Sequence, residues 1–159
     1  METTLNKRSH LMIPDHFRKI IVEAIVYLFV LLFVYAAGTK LVEFEKFREQ
    51  LAQSPILADM ASQLAWLIPV AEIMISILVL FPATRLLGLY GCFSMMVIFT
   101  AYIVSVITFS KQLPCACGGV IEALSWRGHL IFNMGFVVLA LLGIYLLTMI
   151  NQSKTVYNH

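Results

Sequence analysis

Residues 20–37 read IIVEAIVYLFVLLFVYAA, an apolar run broken by one charge, Glu23. A helix rises about 1.5 Å per residue, so a run of this length crosses nearly the whole hydrocarbon core of a bilayer. Three more such stretches follow, and the spans are expected at about 20–38, 64–81, 86–109 and 129–150. The chain of 159 residues is 60% hydrophobic with a mean hydropathy of +0.88, too apolar for a water-soluble domain of this size. It therefore reads as an all-α membrane protein, one integral domain over 1–159, built as a four-transmembrane-helix bundle with the lipid bilayer as its solvent. The first run is too long for a signal peptide and lacks a convincing small-residue cleavage site, so it is read as a retained span. A net charge of +2, with no basic stripe interleaved with aromatics, argues against a nucleic-acid partner.

Four spans put both ends on one side. Lys7, Arg8, Arg18, Lys19, Arg85 and Lys154 fall on that side, against Lys40, Lys46, Arg48, Lys111 and Arg127 on the other. The cations flanking the first helix usually dominate orientation, which predicts a multi-pass bacterial inner-membrane protein with both termini cytoplasmic. Glu23 is expected to reach interfacial water or Lys19. After the first span, Leu41, Phe44, Phe47 and Leu51 are spaced three and four apart among Glu43, Lys46, Arg48 and Glu49. This pattern predicts an amphipathic interfacial helix over Lys40 to Gln53, broken by Ser54-Pro55. The short Phe81-Pro82-Ala83-Thr84-Arg85 segment predicts a tight turn between antiparallel spans. In the third span Gly88 and Gly91, and in the fourth Gly135 and Gly143, offer close helix crossings.

Two features carry chemistry. Glu72, three residues after Pro69, lies near the middle of the second span, where a carboxylate costs several kcal/mol unless it is paired, protonated or hydrated. It is either a functional acid or a structural hydrogen-bonding group. The second feature is Leu113-Pro114-Cys115-Ala116-Cys117-Gly118-Gly119, between the third and fourth spans. Cysteines two apart close a small, strained ring if oxidised, the mark of a labile disulfide rather than a staple. In the predicted orientation the pair faces an oxidising compartment. His129 follows at the start of the fourth span and, with Arg127, stands where it would stabilise a thiolate if the loop folds back. Cys92, deep in the third span, is expected to be an inert buried thiol.

Gly38 to Leu41, Ser54-Pro55, Pro69 with Glu72, and Pro114 to Gly119 followed by Leu124-Ser125-Trp126, His129 and Asn133 form a larger pattern. Together, over about residues 20–150, they resemble the MauE (methylamine utilisation) branch of the DoxX-like family of four-helix membrane proteins. That resemblance implies an inner-membrane protein assisting maturation of methylamine dehydrogenase, a disulfide-rich periplasmic enzyme, alongside a periplasmic thioredoxin-like protein. It also implies that Cys115 and Cys117 are the redox pair.

The expected function is thus a membrane thiol–disulfide redox protein, possessing oxidoreductase activity if it turns over by itself. Its candidate site is Cys115, Cys117, His129 and Glu72, the last two handling protons, with Glu72 doing so where a quinone or a file of water reaches it. A quinone is the one cofactor left open. Two alternatives stand beside this reading: a soft-metal site made from Cys115, Cys117 and His129, and a non-catalytic membrane subunit in which Glu72 binds a quinone headgroup or supports assembly.

Overall fold

A computed structural model describes residues 14–54, 57–109 and 126–157. Every regular element among them is helical. Helix α1 runs Asp15–Val42, α2 Phe44–Ala52, α3 Ala61–Leu80 after a single 3-10 turn at Ala58–Met60, α4 Arg85–Phe109, and α5 Trp126–Tyr157. Four of these are long and apolar enough to cross a membrane: His16–Val42, Ala58–Leu80, Arg85–Ser105 and Gly128–Ser153. The four-span bundle expected from the sequence is therefore present. The short α2 covers one end of it.

The long helices form a closed up-and-down ring in which α1 packs on α3, α3 on α4, α4 on α5 and α5 back on α1. Each inner stripe follows the helical period. On α1 the buried positions are Val22, Ile25, Val26, Phe29, Phe33, Ala36, Ala37 and Lys40. On α3 they are Ala61, Ala65, Pro69, Glu72, Ser76 and Val79. On α5 His129, Asn133, Phe136 and Ala140 continue the same spacing. Outward positions are large and apolar instead, with Leu31 70% and Ile131 72% exposed, the pattern of helices bathed in lipid.

Two apolar clusters divide the interior. The larger gathers Val26, Phe29, Val79, Leu89, Cys92, Met96 and Phe136 in the half away from α2, where Phe29 and Phe136 meet edge to face at 5.3 Å. The smaller, under α2, consists of Phe47 and Leu51 packed on Ala61 and Ala65. Pro69 removes the donor that the carbonyl of Ala65 would otherwise receive, so the ladder of α3 is broken next to Glu72.

At the far end, the turn joining α3 to α4 is tied from several sides. Thr84 Oγ1 donates to the Leu78 carbonyl at 2.8 Å, and Arg85 reaches the carbonyls of Val79 and Leu80. These side chains satisfy acceptors that the end of α3 leaves without intrahelical partners. Arg85 also pairs with Glu23 at 2.6 Å, so Glu23 anchors α1 to this turn instead of serving Lys19. Gly88 is required here, because a Cβ would lie 2.5 Å from the backbone of Val79. Of the two α5 glycines expected at crossings, Gly143 faces Ile25 and Leu89 closely, whereas Gly135 has nothing within 4 Å and makes none.

The interfacial segment also differs from expectation at its start. Lys40, Leu41 and Val42 belong to α1, and α2 begins only at Phe44. Hydrophobic spacing runs unbroken across this junction, so it did not mark where the chain changes direction.

Candidate functional site

Side chains on a helix lean toward its N-terminus. Lys40, near the C-terminal end of α1, therefore leans back into the bundle, while Glu72 on the antiparallel α3 leans toward the α2 end. They meet. Lys40 Nζ donates to Glu72 Oε1 at 2.7 Å, with 5% of the lysine and none of the carboxylate side chain exposed. The same nitrogen reaches the Ala36 carbonyl at 3.4 Å and lies 5.8 and 5.5 Å from the ring centres of Phe47 and Phe99. Those ring faces stabilise a cation and shield it from lipid. On α3, Ser76 Oγ donates to the Glu72 carbonyl at 2.8 Å.

The pair borders a cavity of about 300 Å³ between the two apolar clusters. Phe33, Met96, Phe99 and Phe132 give it apolar walls, and Tyr102, His129 and Asn133 join Lys40 and Glu72 as its polar groups. His129 and Asn133 are one turn apart on α5, and both are buried. Two atoms stand out: neither Glu72 Oε2 nor Asn133 Nδ2 has a hydrogen-bond partner among the described residues. One accepts and the other donates.

Of the site residues expected from the sequence, Glu72 and His129 thus share one cavity. Cys115 and Cys117 lie outside the described residues. The helices flanking them, α4 and α5, end and begin at Phe109 and Trp126, at the same end of the bundle as α2. Cys92 is a free thiol, fully buried in the larger cluster. Among the described residues no group of three His, Cys, Asp or Glu side chains is placed to hold a metal ion.

Lys40 was not expected here. Its charge suggested a position in the connecting segment, but its register gave it away: it falls three residues after Ala37 and seven after Phe33, on the buried stripe of α1. Asn133 carried the same signal through its spacing from His129 and Phe136.

The family profile for "Methylamine utilisation protein MauE" matches residues 18–146. No curated protein and no solved structure matches the chain.

Proposed function

We propose a function from the premise that this chain belongs to the MauE family of methylamine utilisation proteins: a membrane thiol–disulfide redox protein that assists the maturation of exported proteins. Cys115 and Cys117 exchange with a thioredoxin-like partner outside the cytoplasmic membrane. A thiolate of the reduced pair attacks one sulfur of the partner's disulfide, forming a mixed disulfide and displacing the partner's other thiolate. The second cysteine then attacks the first. The partner leaves as a dithiol, and Cys115 and Cys117 remain as a disulfide, two electrons having moved. Running the same steps backwards oxidises the partner.

The observation that supports this reading is that the helices on either side of residues 110–125 end and begin at one end of the bundle. Helices α4 and α5 meet the cysteine-bearing segment at the α2 end of the bundle, the end that also holds the buried Lys40, Glu72 and His129. The third thiol, Cys92, is buried in the opposite half and takes no part. Orientation is supported by the cations that flank the first helix, Lys7, Arg8, Arg18 and Lys19. The termini are then cytoplasmic and the α2 end faces the oxidising compartment, where disulfides persist.

Differential alkylation of native membranes, before and after a reductant, tests the exchange. The expected result is a Cys115/Cys117 pair that shifts between disulfide and dithiol as the thioredoxin-like partner is removed or supplied. A pair that stays reduced in oxidised membranes whatever the partner would overturn the reading.

A further inference from the structure

We propose that the cavity between α1, α3, α4 and α5 binds the ring of a lipid-soluble quinol, held between Glu72 and Asn133. This site is built from described side chains alone and does not depend on the thiol reading.

The route in is lipid. Among the residues lining the cavity, Leu67 on α3 and Ile98 on α4 are 60% and 61% exposed, and both lie within membrane-crossing helices. The cavity therefore reaches the bundle surface between α3 and α4, on a face that only membrane-dissolved molecules meet. Its walls are apolar, and Phe33, Phe99 and Phe132 offer flat faces to an aromatic ring. A volume of about 300 Å³ suits a single substituted ring whose alkyl tail remains outside.

The polar groups then select the ligand. A lipid acyl chain would fill the apolar space but leave Glu72 Oε2 and Asn133 Nδ2 buried without partners, a cost at each atom. The occupant that removes both costs must give a proton to the carboxylate oxygen and accept one from the amide. A hydroxyl does both, and an aromatic ring that carries two hydroxyls offers one for each group. An oxidised quinone has only carbonyl acceptors. It satisfies Asn133 but faces Glu72 Oε2 with a second lone pair. The pairing of one acceptor with one donor therefore favours the reduced form.

The test uses the full chain in nanodiscs of quinone-free lipid, titrated with a short-tailed benzoquinol and, separately, with its oxidised quinone. Native mass spectrometry counts bound molecules, and thermal unfolding reads the stabilisation that binding confers. One quinol per chain is expected, bound about tenfold more tightly than the quinone, the worth of one good hydrogen bond to a charged group. Asn133→Leu should weaken quinol binding by about tenfold. Ile98→Trp, a change on the lipid-facing surface, should block the mouth while leaving unfolding of the ligand-free protein unchanged. The Cys115→Ser/Cys117→Ser variant should bind quinol as well as the parent, which separates this site from the thiol chemistry. No bound quinol, equal affinity for both forms, or binding indifferent to Ile98→Trp would each overturn the proposal, the last by showing simple partition into lipid.

Discussion

Lys40 and Glu72, 32 residues apart in sequence, meet at 2.7 Å inside a membrane-crossing bundle, each leaning toward the other from antiparallel helices. The pair fixes how α1 sits on α3 at the end covered by α2. It also supplies the charged wall of the cavity.

Removing one partner leaves the other charge buried without its counter-ion, at a cost of about 3–5 kcal/mol. Lys40→Met or Glu72→Leu alone should destabilise the protein by about that much in denaturant titrations in mixed micelles. The double variant should recover most of the loss, since two apolar side chains replace a desolvated pair. Losses that simply add would show that the residues are not energetically coupled.

The crossing of α3 and α4 depends on Gly88. Gly88→Ala puts a methyl group 2.5 Å from the Val79 backbone and should cost about 1–3 kcal/mol as the helices are forced apart. Gly135→Ala meets nothing within 4 Å and should change stability by no more than about 0.5 kcal/mol, or raise it through better helix propensity. Equal losses from the two would refute this division of roles.

Arg85 joins the α3–α4 turn to α1 through Glu23, which is 45% exposed. Solvent screening limits such a pair, so Arg85→Ala should cost about 1 kcal/mol, including its bonds to backbone carbonyls. Glu23→Gln should cost less, because an amide oxygen still accepts from the guanidinium. The difference between Glu23→Gln and the parent should shrink in about 0.5 M salt. A salt-independent difference would mean that the charge is not the source of the effect.

Cys92 is fully buried, and its thiol should resist reagents that reach exposed cysteines. In a Cys115→Ser/Cys117→Ser background, maleimide should leave native protein unmodified and label it once after denaturation in detergent. Rapid labelling of the native protein would place Cys92 on an accessible surface.

The fold was legible because each span declares itself through length and hydropathy, and Phe81-Pro82 leaves no room for anything but a turn. The site was legible only in part. Glu72 announced itself as a charge amid hydrocarbon, and His129 by its place at the head of the last span. Lys40 did not, because lysine near a span end ordinarily reaches for water, and only its register with Phe33 and Ala37 places it inward. Glu23 found Arg85 across the bundle instead of a neighbour on its own helix, a contact that the sequence could supply only once the helices were packed. Gly135 shows the converse limit: a small residue on a helix permits a close crossing but does not create one.

The central claim is that Cys115 and Cys117 trade electrons with a soluble thiol partner, and trapping the intermediate tests it most directly. In Cys115→Ala or Cys117→Ala protein the remaining thiol has no resolving neighbour, so the mixed disulfide should accumulate. Non-reducing electrophoresis and mass spectrometry of the captured species should identify a thioredoxin-like protein attached to the remaining cysteine in at least one variant. If neither variant captures a partner in membranes where that partner is present and oxidised, the account is wrong.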